Sequence, residues 1–186
     1  MTVATALLDA LAFAARKHRD QRRKDAEASP YLNHPIAVAH VLAIEGAVTD
    51  PDVLTGAILH DTVEDTETTF AELEARFGPS VTALVRELTD DKSLPKTERK
   101  RLQVAHAAGA SPAAKQIKLA DKICNVRDIT DTPPADWSVG RMVAYLDWAA
   151  EVARACRGAN PRLEAAFDAA VTRARRVVRE VPVSGA

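Results

Sequence analysis

Apolar residues recur along most of the chain at intervals of three and four positions, as they do on amphipathic helices. Near the start, Leu7, Leu8, Leu11 and Ala15 share one side of such a helix, and a basic run at 16–19 follows them. No valine- or isoleucine-rich run alternates with period two for long enough to predict a sheet, and no hairpin dipeptide occurs. The pattern therefore predicts an all-α protein.

Capping residues predict where most of these helices begin and end. Three pairs join a favourable N-cap residue to a proline in the first turn, namely Asp50-Pro51, Ser111-Pro112 and Asn160-Pro161. Asn33 is a looser version of this signal, Thr69 and Glu72 form a capping box, and Gly78 is placed to end a helix. We expect a bundle of about nine helices, at residues 2–19, 34–45, 51–60, 70–77, 79–89, 95–107, 112–129, 138–157 and 161–180.

Composition narrows the class of protein. The 186 residues suit one domain, and contents of 47% hydrophobic and 27% charged residues are typical of a soluble globular protein. A net charge of -1 and an aromatic content of 4% argue against nucleic acid and membranes as partners. No signal peptide or membrane-spanning run is visible, and Cys124 and Cys156 lack CxxC spacing. We therefore expect two buried thiols and a cytoplasmic location.

The octet at residues 59–66, Leu-His-Asp-Thr-Val-Glu-Asp-Thr, concentrates groups able to bind a metal or transfer a proton. His60 and Asp61 are adjacent, and Glu64 and Asp65 follow four residues after them. On a helical turn, this spacing places a metal-ligand pair beside a pair of carboxylates, as metal-assisted hydrolysis requires. The alternative is a helix that ends in a solvated acidic loop.

Two residues outside the octet complete a possible metal site. His34 stands at a helix start, and Asp121 lies in a predicted helix among apolar neighbours, although flanking lysines would also suit an exposed salt bridge. With His60 and Asp61 they form a set of two histidines and two aspartates. Such mixed ligands suit Mn²⁺ and Fe²⁺ and also accept Zn²⁺. We interpret the other histidines, His18, His40 and His106, as structural or exposed residues.

Several cations are placed to recognise phosphate. Arg23 and Lys24 lie in a polar loop, residues 92–101 are rich in lysine and arginine, and Arg141 precedes Tyr145 by one helical turn. Each of these could be ordinary surface. Together they would suit a small-molecule substrate with several phosphates, because lysine supplies point charges and arginine supplies forked donors.

The order of these motifs resembles that of a known family. His34, the His60-Asp61 pair and Asp121 resemble the signature of HD-domain metal-dependent phosphohydrolases. The segments that carry a closer resemblance, to the hydrolase domain of RelA/SpoT-type proteins, are residues 22–24, 30–35, 59–66, 77–78, 88–92 and 118–122. Within that group the chain is similar to the stand-alone small alarmone hydrolases of the metazoan SpoT-homologue type. The similarity covers about residues 7–163.

The resemblance implies a single HD domain over residues 1–186, with a C-terminal helix at 161–180. It implies Mn²⁺-dependent removal of the 3′-pyrophosphate from ppGpp and pppGpp, the alarmones of the stringent response, to give GDP or GTP and pyrophosphate. We expect no synthetase or regulatory domain.

The resemblance also implies a role for each candidate residue. The metal ligands would be His34, His60, Asp61 and Asp121. The catalytic acidic pair would be Glu64 and Asp65. The substrate-binding residues would be Arg23 near the base, Lys24 near phosphate, and Lys96, Asn125, Arg141 and Tyr145. One departure, Ile123-Cys124, leaves these residues untouched and affects at most the packing of its helix.

Two other functions stay open at this point. The basic pocket would also suit a different phosphorylated nucleotide, such as an adenine alarmone or the 2′-phosphate of NADPH. The chain would alternatively serve as a catalytically silent nucleotide sensor, although such a sensor has no need of Glu64 and Asp65. The sequence predicts no particular oligomeric state.

Overall fold

A computed structural model describes residues 2–180 and confirms the all-α prediction. The helices, in chain order, are α1 (Val3–Lys17), α2 (Asn33–His40, continued by a π-helical turn at Val41–Glu45), α3 (Pro51–Leu59), α4 (Thr62–Asp65), α5 (Phe70–Leu88), α6 (Lys96–Gly109), α7 (Pro112–Asp131), α8 (Val139–Ala155) and α9 (Pro161–Glu180). Extended pairing over residues 2–180 is limited to isolated bridges, so that range contains no strand. No helix within it is both long and apolar enough to cross a membrane.

Most of the predicted helix caps form. The side chains of Asp50, Ser111, Thr69 and Asn160 each accept a hydrogen bond from a backbone N–H in the first turn of the helix that follows. Two details of the prediction are wrong. Asn33 lies inside α2 and does not cap it, and the Glu72 carboxylate accepts a hydrogen bond from Lys17 at 3.0 Å, whereas a capping box requires it to return to Thr69. An ion pair to α1 therefore replaces the local bond.

Gly78 divides α5, as the sequence predicts. Its backbone has φ 86° and ψ 170°, a conformation open to glycine and strained for other residues. The hydrogen-bonded helix resumes at once with Pro79, so the two predicted helices form one kinked element. The kink lets both halves of α5 follow the core, since Leu73 before it and Val81 after it are both buried.

Helix α3 is the centre of the fold. All residues from Val53 to Leu59 are buried, as expected for a helix that is apolar on every side. Val53, Leu54 and Ala57 join one hydrophobic cluster, whereas Ile58 and Leu59 join the other. Contacts with α1, α2, α5 and α7 fix α3 in place. The octet begins at the buried end of this helix, so His60 is held on a rigid support.

Helix α9 covers the outer side of the bundle by packing on α7 and α8. Its buried residues, Leu163, Phe167, Ala170, Ala174 and Val178, form one stripe. Gly46, after the π-helical turn, allows this approach: a Cβ there would lie 2.7 Å from the Leu42 carbonyl oxygen and 3.0 Å from the Leu163 side chain. The close contact therefore requires glycine.

Candidate active site

The octet forms a sharp turn between α3 and the single turn of α4. The Asp65 N–H donates to the Asp61 carbonyl at 2.8 Å, which gives the helical spacing that the sequence predicts for this pair. Two threonine hydroxyls reinforce the turn, because Thr62 donates to the Leu59 carbonyl at 2.7 Å and Thr66 donates to the Thr62 carbonyl at 2.6 Å. These bonds explain why the octet is ordered, and they exclude the solvated acidic loop considered above.

Three of the predicted ligands converge on one point. Ligand atoms of His34, His60 and Asp121 all lie within 4.8 Å of one another, and both imidazoles are buried. The His34 Nε2 atom is 3.1 Å from the Asp121 Oδ1 atom. Helix α2, the end of α3 and the middle of α7 each contribute one residue. The packing of three helices therefore assembles a group that can hold a metal ion.

The hydrogen bonds of His60 suit it to be a metal ligand. Its Nδ1 atom donates to the Ala57 carbonyl at 2.7 Å, so the Nε2 atom of the neutral ring carries a lone pair. That Nε2 atom is buried, and among residues 2–180 no group meets it with hydrogen-bond geometry, although the Asp61 carboxylate lies close to it. Burial alone would lower the pKa of His60, but Asp61 and Asp121 outweigh it and raise the pKa to about 9. A divalent cation fits this surplus of negative charge.

Asp61 lies beside the group of three. Its Oδ2 atom is 3.0 Å from the His60 Nε2 atom and 3.9 Å from the His34 Nε2 atom. The same oxygen accepts a hydrogen bond from the Tyr31 hydroxyl. Burial would raise the pKa of Asp61, yet His60 and His34 hold it well below its ordinary range. Asp61 therefore stays ionised and faces both imidazoles.

Asp121 is half-buried, and both of its carboxylate oxygens accept hydrogen bonds. Lys122 donates to its Oδ2 atom at 2.7 Å, and Asn125 donates to its Oδ1 atom at 2.6 Å. Burial would raise the pKa of Asp121, but Lys122 and His34 lower it far more. The structure thus rejects the exposed salt bridge considered for this residue, since Lys122 is only 6% exposed.

The acidic pair sits at the edge of this group, and its two members differ in environment. Glu64 accepts a hydrogen bond from the Asp90 N–H at 3.0 Å, and its pKa rises to about 7 because burial and the charge of Asp61 oppose ionisation. Asp65 accepts hydrogen bonds from Gln21 at 3.0 Å and from Lys92. Glu64 is therefore the member poised to exchange a proton near neutral pH.

Three adjoining cavities meet at Tyr145 and contain all the predicted substrate-binding residues. A cavity of about 240 Å³ is lined by Asn125 and by the metal-ligand group, which consists of His34, His60, Asp61 and Asp121. One of about 400 Å³ is lined by Arg23 and Lys24, and one of about 250 Å³ by Lys96 and Arg141. Tyr145 lines all three. The predicted cations therefore surround the acidic centre in space.

A sequence model of the HD domain matches residues 10–144 of the chain. This chain belongs to the HD-domain family. The match spans every residue of the metal-ligand group and both members of the acidic pair.

Relatives of this HD domain extend the match over nearly the whole chain. The human guanosine-3′,5′-bis(diphosphate) 3′-pyrophosphohydrolase MESH1 is 56% identical over 164 residues, which are 88% of this chain and 92% of that protein. The Drosophila melanogaster protein of the same name is 50% identical over 161 residues, 87% and 90% of the two chains. The solved structure of a metazoan SpoT orthologue that hydrolyses ppGpp has a TM-score of 0.88 at 49% identity, and covers 91% of this chain and 95% of that one.

The HD domain also places residues at the site that the sequence did not single out. Trp137 and Trp148 line the cavity that contains Lys96. The Lys100 Nζ and the Lys122 Nζ each lie 4.6 Å from the Trp148 ring centroid. Lys100 belongs to the cation-rich run already noted. Trp137 and Trp148 belong to no motif in a chain of low aromatic content, so the sequence did not indicate a role for them. His18, interpreted as structural or exposed, is buried and contacts the Tyr31 ring.

Proposed function

We propose that this chain is a Mn²⁺-dependent hydrolase that removes the 3′-pyrophosphate of ppGpp and pppGpp. The products are GDP or GTP and pyrophosphate. The named activity of relatives that are 50% to 56% identical supports the substrate. The observation that carries the chemistry is the convergence of His34, His60 and Asp121 beside Glu64, under cavities lined by cations.

His34, His60, Asp61 and Asp121 are the proposed ligands of one divalent cation. When bound, such a cation polarises a phosphoryl oxygen and makes a water molecule more acidic. Imidazole and carboxylate ligands together suit Mn²⁺, and Fe²⁺ or Zn²⁺ would use the same donors. The choice of Mn²⁺ rests on the resemblance to the alarmone hydrolases.

The acidic pair divides the work on the attacking water. Glu64, with its pKa near 7, accepts a proton from this water, because a base works best when its pKa is close to the operating pH. Asp65 is held by Gln21 and Lys92 and orients the water towards the phosphorus. The bond from that phosphorus to the ribose 3′ oxygen breaks, and the 3′ oxygen takes up a proton.

The cations around the cavities favour a substrate with several phosphates. Burial lowers the pKa of Lys96, and the neighbouring charges of Arg141, Lys24 and Arg99 lower it further. Cations that repel one another in this way gain most from an anion with many charges. On the other side, Arg23 pairs with Asp128 and lies 5.7 Å above the Tyr31 ring, where its flat guanidinium could stack on a base.

The cavities and cations suit a small phosphorylated nucleotide as the partner, and we propose neither nucleic acid nor a membrane. Cys124 and Cys156 are free and buried, as the sequence predicts. Unpaired thiols suit a reducing compartment, so we also propose a cytoplasmic location.

A metal-reconstituted assay tests the proposal. Purified protein is stripped with a chelator, reloaded with Mn²⁺, and given ppGpp, pppGpp or NADPH in separate reactions. We expect pyrophosphate release from the two guanine nucleotides, loss of this release in His60→Ala, and no effect of His106→Ala, an exposed histidine on α6. Turnover of NADPH alone would assign the site to another nucleotide. Tight binding of ppGpp without release of pyrophosphate would indicate a sensor.

A further inference from the structure

A chain of hydrogen bonds connects the end of α1 to the acidic pair. The Gln21 Nε2 atom donates to the Asp65 Oδ2 atom at 3.0 Å. The Oε1 atom of the same side chain lies 2.6 Å from the Nδ1 atom of His18. His18 is only 2% exposed. His18, which the proposed chemistry does not use, is thus linked through Gln21 to Asp65, which it does use.

The chemistry of the groups fixes the direction of both bonds. An ionised carboxylate only accepts hydrogen bonds, so Gln21 must present its amide nitrogen to Asp65. Its carbonyl oxygen then faces His18, and the Nδ1 atom of His18 must carry the hydrogen. The Nε2 atom of His18 is buried without a hydrogen-bond partner among residues 2–180, which matches an imidazole that donates from Nδ1 alone. If the Gln21 amide were reversed, its carbonyl oxygen would face the Asp65 carboxylate, and two hydrogen-bond acceptors would oppose each other.

The surroundings hold His18 and Gln21 in place. The His18 N–H closes α1 on the Ala14 carbonyl at 2.9 Å, and the Gln21 N–H donates to the His18 carbonyl at 3.0 Å. The Tyr31 ring lies 4.9 Å from the His18 ring, and the Tyr31 hydroxyl donates to Asp61. The other partner of Asp65, Lys92, is 49% exposed and sits on a surface loop. Gln21 is therefore the more firmly supported of the two donors to Asp65.

We infer that His18 and Gln21 are positioning residues that together set the orientation of the Asp65 carboxylate. Gln21 touches the carboxylate, and His18 acts through Gln21 by fixing which end of its amide faces Asp65. Neither residue lies within the metal-ligand group. This inference rests on the proposed function, in which Asp65 orients the attacking water.

Four variants and a double variant test this arrangement. Gln21→Met keeps the length of the side chain and removes its hydrogen bonds, and His18→Phe keeps a ring against Tyr31 and removes the donor. His18→Asn restores a donor, because its amide nitrogen can occupy the position of Nδ1. His106→Phe is the matched control on an exposed histidine. The measurements are kcat and KM for ppGpp, Mn²⁺ bound per chain, and Tm.

We expect kcat to fall by about 10- to 100-fold in Gln21→Met and in His18→Phe, which is the range typical of residues that orient metal ligands. KM and bound Mn²⁺ should stay at their original values. His18→Asn should recover most of the loss. The double variant that combines His18→Phe with Gln21→Met should be no slower than Gln21→Met alone, because the effects of residues that act through one another are not additive. Unchanged kcat in both single variants, or additive losses in the double variant, would overturn the inference.

A purely structural role would lower Tm, bound Mn²⁺ and kcat together, with no recovery in His18→Asn, and that pattern would also overturn the inference. Crystal structures of the original protein and of Gln21→Met supply a readout that does not depend on substrate. A rotated Asp65 carboxylate in the variant supports the inference even if ppGpp is not hydrolysed, in which case only the proposed function fails. An unmoved carboxylate overturns it.

Discussion

The Tyr31 hydroxyl donates a hydrogen bond to the Asp61 carboxylate, so a residue before α2 orients a proposed metal ligand that follows α3. Burial raises the pKa of Tyr31, and the charges of Asp61 and Asp65 raise it further, so the hydroxyl keeps its hydrogen. The Tyr31 ring also contacts His34, at a centroid distance of 5.9 Å. One aromatic residue thus supports two members of the site.

Replacing Tyr31 with phenylalanine should weaken metal binding and leave the fold intact. The Tyr31→Phe variant keeps the ring and removes the bond to Asp61, and loss of such a support typically costs about 10- to 100-fold in metal affinity or activity. Titration of the chelator-stripped protein with Mn²⁺ measures the change. Tyr145→Phe is the control for loss of a phenol in the same cavities, since its ring lies outside the metal-ligand group. Equal Mn²⁺ affinity in Tyr31→Phe and the original protein would contradict the role of the bond.

The two histidines of α2 should behave differently when each is removed. His34 is buried with its Nε2 atom 3.1 Å from Asp121, whereas His40 is exposed at the end of the same helix. His34→Ala should therefore abolish stoichiometric Mn²⁺ binding and reduce ppGpp hydrolysis by at least about 1000-fold. His40→Ala should retain both properties. Metal analysis after gel filtration and a pyrophosphate-release assay check the pair, and retention of Mn²⁺ by His34→Ala would remove this residue from the ligand set.

Local patterns in the sequence were enough to predict the spacing within the octet and the first turns of several helices. The spacing of Asp61 and Asp65 is a property of one helical turn, and the side chains of Asp50 and Ser111 bond within their own first turns. Both features depend on neighbours within five residues, so the sequence displays them directly.

Contacts between distant segments could not be predicted in this way. Gln21 meets Asp65 across 44 positions, and Arg23 meets Asp128 across 105. No periodicity encodes such a pairing, because it depends on how the helices pack. Lys122 shows the same limit: its sequence context suggests an exposed charge, yet packing buries it between Asp121 and the Trp148 ring.

Lys96 should contribute to substrate binding more than to the chemical step. It lies in the cavity with Arg141 and touches no member of the metal-ligand group. Lys96→Met should raise KM for ppGpp about 10-fold, equivalent to roughly 1.4 kcal/mol, with kcat largely retained. Added salt should raise KM less in the variant, because one screened attraction is gone. Lys115→Met, on α7 outside the three cavities, is the control, and an effect on kcat alone would contradict a binding role for Lys96.

The raised pKa of Glu64 predicts a stability that depends on pH in the metal-free protein. The folded protein holds this proton up to a pKa of about 7, whereas the unfolded chain releases it near 4.5. Glu64 therefore supports folding below pH about 4.5 and loses that support as the pH rises through 7. Because the Glu64 side chain is only 17% exposed, its ionisation in the folded protein should lower the free energy of unfolding by roughly 2 to 3 kcal/mol at pH about 8.

Glu64→Gln removes this cost, since its amide oxygen can still accept from the Asp90 N–H. Denaturant unfolding in a chelator should find the variant more stable than the original protein at pH about 8 and nearly equal to it at pH about 4.5. Glu74→Gln, an exposed position on α5, should show no such dependence. A stability difference for Glu64→Gln that stays constant across this range would contradict the raised pKa.

Gly78 should be intolerant of alanine for reasons of backbone conformation alone. A Cβ at this position would meet no atom within 4 Å, so any cost comes from holding alanine at φ 86° and ψ 170°. We expect Gly78→Ala to lower the free energy of unfolding by about 1 to 3 kcal/mol.

Gly109 is the matched control, because a Cβ there also meets nothing within 4 Å and the residue ends α6 without a positive φ. Gly109→Ala should be neutral or stabilise by up to about 1 kcal/mol, as alanine favours a helix. Denaturant unfolding with the slope compared between variants separates the two outcomes. Equal stability of both variants would mean that α5 straightens at residue 78, and the kink would then owe nothing to glycine.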